Sequence, residues 1–251
     1  MSGIQNGPRE HFASIDTTMR LAHERAESGA PEGLVISADE QTAGRGRLGR
    51  EWLSRPGDGL YFSLLLRPPV SPARALTLTL ACGLGVARGL GRTSGVKCDL
   101  RWPNDVMIAD KKLAGILVES AAEEARLKHV VVGVGLNVNH AELPPDLEEI
   151  ATSLRIETGC EWARDLVLQS VLEELDRYYS LFLDRGAPAV IEAFTRASSY
   201  VKGKEVRIEG AGPQVEGVTA GLNADGMLLL RTADGTISPV VAGSVRPLTR
   251  D

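Results

Sequence analysis

The chain has 251 residues, 43% of them hydrophobic and 24% charged, and a net charge of -5. These proportions belong to a soluble globular protein, either one large domain or a main domain with a small companion. The acidic balance argues against general nucleic-acid affinity, which shows as a basic excess, so any anion site must be local.

Residues 1 to 10 read as a flexible lead without the apolar stretch of a signal peptide. His11–Ile15 is a short extended segment, and Asp16, Thr17 and Thr18 offer helix-capping side chains. The helix they introduce carries Met19, Ala22 and Ala26 at helical spacing through Glu27, and Gly29 and Pro31 end it. The Thr17 and Thr18 hydroxyls serve either as plain caps or as contacts for a small polar ligand.

Gly33–Ser37 is a candidate strand, and beyond it lies Gly44-Arg45-Gly46-Arg47-Leu48-Gly49-Arg50. Three arginines supply permanently charged donor forks, and three glycines let the backbone approach a ligand closely. The segment reads as a loop that wraps an anion. Its letters also satisfy G-x-G-x-x-G, but that fingerprint requires a helix opening within it and an acid about twenty residues on. Pro56, Gly57 and Gly59 follow instead, then Pro68 and Pro69, so a dinucleotide fold is rejected.

Leu60–Leu66 is a strand apolar enough to be buried on both faces. A helix rich in Leu and Ala starts at Ser71-Pro72 and runs to about Gly91; its Gly83, Gly85 and Gly89 suggest close packing against the sheet. Its most apolar part, Ala75–Val86, is too short to span a bilayer. Val96–Arg101 alternates as a strand and enters the turn Trp102-Pro103-Asn104-Asp105. Val106–Ile108 and Leu113–Glu119 form a hairpin around the polar turn Asp110-Lys111-Lys112.

His129–Asn139 is another strand, apolar at first and then alternating Asn with Val. An Asn there is either a paired core amide or a ligand contact. Thr152–Gly159 reads as irregular, and Trp162–Arg185 as a long amphipathic helix stopped by Gly186. After Val201 five short β-like pieces alternate with Gly, Asn and Asp turns, which suggests a small barrel. Cys82, Cys98 and Cys160 have no C-x-x-C spacing and fit a reducing cytosol. His11, His23, His129 and His140 lack metal-ligand spacing, so no zinc site is expected.

The arginine loop, the Trp-Pro-Asn-Asp turn, Lys-Lys-Leu-Ala-Gly-Ile-Leu-Val-Glu, a Gly-x-Gly-x-Asn strand and a terminal small barrel occur in that order. As an ordered set they resemble the biotin protein ligases, from about Phe12 to the C-terminus. The resemblance implies an α+β fold: after a lead of residues 1–11, a mixed-sheet catalytic domain of the biotin/lipoate ligase type over residues 12–200. A small SH3-like β-barrel domain over residues 201–251 would follow. Matched residue by residue, it implies that Thr17, Thr18, Gln41, Arg45, Gly46, Arg47, Lys112, Gly115 and Asn137 contact biotin and nucleotide. Lys112, Arg47 and Asp105 are the implied catalytic residues. Met19 stands where many members have Asn, and Arg101 where Lys is common. Some members carry an N-terminal DNA-binding domain; about eleven residues precede the catalytic region here, so DNA binding is not expected.

The implied activity is that of an ATP-dependent ligase forming a C–N bond, acting in the cytoplasm with biotin, ATP and Mg²⁺; the metal's ligands stay open. The implied partner is the biotin carboxyl carrier protein domain of acetyl-CoA carboxylase or of another biotin-dependent carboxylase, and a monomer and a homodimer are both compatible. A lipoate or octanoate ligase and a non-enzymatic biotin sensor are the alternatives. The polar set of Thr17, Thr18 and Gln41 favours a ureido ring over a straight aliphatic chain.

Overall fold

A computed structural model describes residues 4–123, 126–210 and 214–248. Two sheets organise the chain. The first is seven-stranded: β1 (Arg9–Ile15), β2 (Val35–Gln41), β3 (Gly59–Leu66), β4 (Asp99–Arg101), β5 (Asp105–Ile108), β6 (Lys111–Glu123) and β7 (Arg126–Asn137). Their spatial order is β1-β2-β3-β7-β6-β5-β4. β1 and β2 run parallel, joined through helix α1 (Thr18–Glu27), and the other pairs are antiparallel, so the sheet is mixed.

Helices cover both faces, which is why every residue of β3 is buried. On one face Leu21, Ala22 and Ala26 of α1 pack on Ile36, Leu65 and Val131. On the other lie α2 (Ala75–Ser94) and α4 (Arg164–Ala197); between β7 and α4 comes the short α3 (Leu154–Thr158). The second sheet, of β8 (Lys202–Glu209), β9 (Val215–Leu222), β10 (Leu228–Arg231), β11 (Ile237–Val240) and β12 (Ser244–Pro247), is antiparallel in the order β11-β10-β9-β8-β12.

Several expectations change. The lead is anchored, because Ile4 is fully buried in the main core and Pro8 O accepts from Val35 N. Gly85 and Gly89 admit α4, not the sheet: a Cβ on either would lie 2.9 Å and 2.6 Å from the Cα of Leu175 and Val171. The β5–β6 turn is Ala109-Asp110, both at positive φ as a two-residue type I′ turn requires, so Lys112 sits in the strand and not in the turn. Thr152–Gly159 is not irregular but holds α3, capped by the Ser153 hydroxyl and closed by Gly159 at φ 72°. Gly186, at φ 67°, ends the first part of α4 as expected, and a second helical part follows directly with Pro188 just inside it.

Candidate active site

The site lies where α1, the arginine loop and the β4–β7 end of the first sheet meet. At the start of α1, Thr17 caps the helix, its hydroxyl accepting from Met19 N at 3.3 Å. Thr18 turns inward: its backbone N and its Oγ1 both donate to Gln41 Oε1, at 2.9 and 3.1 Å, and Oγ1 lies 2.8 Å from Ser63 Oγ. Gln41 Nε2 donates to Ser54 Oγ at 3.3 Å. A chain of side-chain hydrogen bonds is therefore complete before any ligand arrives.

These groups line a narrow slot of about 450 Å³, open to solvent at its mouth. Glycines make its floor: Gly115 and Gly135 face each other across β6 and β7. A Cβ on Gly135 would strike the Trp52 indole, and one on Gly115 would lie 2.9 Å from both Trp52 Cζ3 and Lys112 Cε. Met19 also lines the slot, with its sulfur 2.6 Å from where a Gly133 Cβ would stand. Where an Asn would offer an amide, this chain offers a thioether packed against the strand.

The arginine loop is a small self-paired hairpin. The Arg45 and Glu51 backbones pair in an isolated antiparallel β-bridge, Gly46 N donates to Arg50 O at 2.7 Å, and Trp52 N donates to Gly44 O at 3.0 Å. Only a single 3₁₀ turn, Arg47–Gly49, follows the glycines, as the rejection of a dinucleotide fold requires. Gly44 is needed for close approach, since a Cβ would lie 2.7 Å from Trp52 O and 2.8 Å from Ser54 Oγ. At the tip, Leu48 is half exposed and adopts φ 59°.

Arg47 reaches out of the loop in two directions. Its Nη1 donates to Asn104 Oδ1 at 3.0 Å and to Gly243 O of the second sheet domain at 3.2 Å. Asn104 is fixed in turn, donating from Nδ2 to Ile116 O at 2.9 Å. The same turn is pinned to the C-terminal unit through buried Trp102, whose Nε1 donates to Gly226 O at 2.9 Å.

Beside Arg47 is a charge triad, with Arg101 buried and Asp105 and Lys112 half-buried. Asp105 Oδ1 lies 2.6 Å from Lys112 Nζ, and Oδ2 lies 2.8 Å from Arg101 Nη2. Burial pushes the Asp105 pKa up, but Lys112 and Arg101 outweigh it and hold the carboxyl below its ordinary value. Arg101, in the place of a common Lys, also donates to Oδ2 from Nε at 3.3 Å, and its fork clamps the acid from one side. A carboxylate so stabilised is a weak proton acceptor; its geometry suits orienting Lys112. The ammonium of Lys112 lies 5.1 Å from the Trp52 ring centroid, within cation–π range.

A second, wider pocket of about 940 Å³, open to solvent, adjoins the slot, and both share Gly46, Arg47, Trp52, Asn104 and Lys112. Arg50, Arg101 and Arg246 add cations to it, while Leu143, Leu147 and Ile150 supply an apolar wall. Asn137 lines this pocket, and its Nδ2 donates to Thr152 O at 2.9 Å, so it is at once a paired amide and a cavity residue. Thr17, Thr18, Gln41, Arg45 and Gly115 line the slot, Asp105 and Asn137 the wide pocket, and Gly46, Arg47 and Lys112 both. Trp52, Asn104 and Arg246 were not singled out in the sequence; the nearest signal was the glycine pair 115/135, which leaves room for an indole.

Among the described residues no group of three His, Cys, Asp or Glu could hold a metal, and no helix is long and apolar enough to cross a membrane. Two family models match: the biotin/lipoate A/B protein ligase family over residues 11–137 and the biotin protein ligase C-terminal domain over residues 202–246. A bifunctional ligase/repressor BirA of Bacillus spizizenii is 37% identical over 223 residues, covering 88% of this chain and 68% of that protein. A biotin–[acetyl-CoA-carboxylase] ligase of Mycobacterium tuberculosis is 37% identical over 227 residues, covering 88% of this chain and 82% of that one. The solved biotin protein ligase of Aquifex aeolicus in complex with biotin and ATP superposes with a TM-score of 0.82 at 33% identity, over 96% of this chain and 99% of that chain. With both of its domains matched in order, the chain belongs to the biotin/lipoate A/B protein ligase family.

Proposed function

We propose that this chain is an ATP-dependent biotin protein ligase, which makes biotinyl-5′-adenylate and transfers biotin to a lysine of a biotin carboxyl carrier domain. The observation that carries the reading is the junction: a narrow polar-and-apolar slot and a wide cationic pocket share Arg47 and Lys112. The first step brings a carboxylate to an α-phosphate, two anions whose approach is costly without fixed cations. Arg47 and Lys112 stand where the two ligands would meet, and Asp105 with Arg101 holds the lysine in place.

In this reading Thr18 and Gln41 face the ureido ring and Asn137 the base of ATP. The carboxylate attacks the α-phosphorus and pyrophosphate leaves; the carrier lysine then attacks the acyl carbon and AMP leaves. Magnesium fits the site only loosely. Asp105 is committed to two cations, so Glu51 is the lining carboxylate left to it, and phosphate oxygens would supply the rest of its shell.

The acceptor we expect is the carrier domain of acetyl-CoA carboxylase or of another biotin-dependent carboxylase. A net charge of -5 favours no sequence-specific DNA complex, and three free cysteines suit the cytoplasm. The test is incubation with Mg-ATP, a carrier domain and either biotin or lipoate, read by mass spectrometry. Biotin should be added to one lysine, and lipoate rejected by several orders of magnitude, because lipoate lacks the ureido group that Thr18 and Gln41 would face. Comparable rates with lipoate would overturn the biotin assignment.

A further inference from the structure

His140 lies three residues beyond β7 and enters none of the steps above. It is 1% exposed, lines the wide pocket, and neither ring nitrogen has a hydrogen-bond partner among the described residues. Its backbone is well tied, with Ser153 Oγ donating to His140 O at 2.6 Å. So the residue is held firmly while its imidazole is left without a partner; among the described residues only Trp52, Thr77, His129 and Glu174 have another buried side-chain atom without a hydrogen-bond partner.

The surroundings indicate what the ring awaits. Leu143, Leu147 and Ile150 make this wall of the pocket apolar. Burial lowers the imidazole pKa; Asp58 opposes that shift and Arg55 adds to it, so the ring is neutral at physiological pH. A neutral imidazole offers one donor and one acceptor. That pattern matches the edge of a planar base; phosphates match the guanidinium and ammonium groups elsewhere in the pocket.

We propose that His140 is a specificity-determining residue of the nucleotide pocket, hydrogen-bonding the edge of the bound purine. The proposal rests on the ligase reading for its nucleotide and assigns the base a contact beyond that of Asn137. Asn137 commits one amide N–H to Thr152 O, which leaves it one donor and its oxygen. His140 adds a further donor and acceptor at the base edge, which sharpens the separation of adenine from guanine.

The test compares wild type with His140→Leu and His140→Gln. Pyrophosphate release gives the KM for ATP and for GTP, calorimetry the biotin affinity, and thermal melting the stability without ligand. For His140→Leu the ATP KM should rise about tenfold, with the preference for ATP over GTP shrinking by a similar factor. Biotin affinity and melting temperature should hold, because an apolar side chain replaces unpaired polar atoms. His140→Gln, which keeps a donor and an acceptor, should recover part of the loss. An unchanged ATP KM overturns the proposal; so does a parallel loss of biotin affinity, ATP affinity and melting temperature, the mark of a purely structural residue. If wild type releases no pyrophosphate with biotin, the ligase reading fails by itself. Direct titration of wild type and His140→Leu with ATP then decides the proposal, and equal or absent binding refutes it.

Discussion

The two halves of the site are built on opposite plans. In the narrow slot the polar side chains satisfy one another: Thr18 with Gln41 and Ser63, and Gln41 with Ser54. In the wide pocket His140 has both ring nitrogens unpaired, and at the shared junction the Trp52 Nε1 is unpaired too. The slot is a finished receptor whose order is part of the fold. The pocket is completed by what enters it. Substitution in the slot should therefore cost stability and ligand affinity together, whereas substitution at the junction or in the pocket should cost rate or affinity while the fold persists.

The largest effect is expected at the junction. Lys112→Ala should slow adenylate formation by about 10²–10³ while biotin binding moves far less, because the ammonium acts where charge develops. Unchanged pyrophosphate release would reduce Lys112 to an ordinary strand lysine. Arg47→Gly comes next. It deletes the fork that holds Asn104 and Gly243 O and adds a freely rotating residue to the loop. The variant should still make some adenylate but release it, so biotin appears on lysines of an added bystander protein. Bystander labelling equal to wild type, with equal protease sensitivity of the loop with and without biotin and ATP, would remove the loop's role as a cover.

Thr18→Val sharpens the comparison from the slot's side. It removes the hydroxyl shared with Gln41 and Ser63, so stability should fall by about 1–3 kcal/mol as Ser63 loses its partner and Gln41 keeps only the Thr18 backbone N–H. Biotin affinity should fall with it, read by thermal melting and calorimetry; a drop in one alone contradicts the preformed slot. The smallest effect concerns pH. Asp105 has its pKa depressed in the fold, so its ion pairs give their full stability above the unfolded value of about 3.9 and lose it only as pH falls further. Adenylation should show no acid limb from this group between pH 5 and 7. A limb there that disappears in Asp105→Asn would break the account of the triad.

Much of this was legible in the chain because the signals are local. β3 is apolar residue by residue, the five C-terminal strands are punctuated by turn residues, and the arginine loop is followed by nothing that could be a helix. Short or compound elements escaped. Five residues are too few for α3 to show a period, although Ser153 and Gly159 mark its two ends. At Gly186 the stop signal was real, but Pro188 two residues later restarts the helix. Glycine spacing announced a close approach without naming the partner, so α4 was mistaken for the sheet. The contacts that assemble the site join distant positions: Arg47 meets residues 57 and 196 places away. No periodicity encodes such pairs, and an unpaired imidazole is visible only once its surroundings are known.

The bond from Arg47 to Gly243 O ties the C-terminal unit to the arginine loop through one side chain. Gly243 has φ 136°, and a Cβ there would lie 2.8 Å from Ile208 Cγ2, so its carbonyl is held by a backbone only glycine supports. Thermodynamic reciprocity follows. Whatever free energy this contact contributes to ordering the arginine loop for ATP, bound ATP returns to the docking of the small domain. ATP should then suppress local opening of β12 as well as of the loop, and hydrogen exchange at the amides of Ser244–Arg246 becomes a remote gauge of whether the active site is filled.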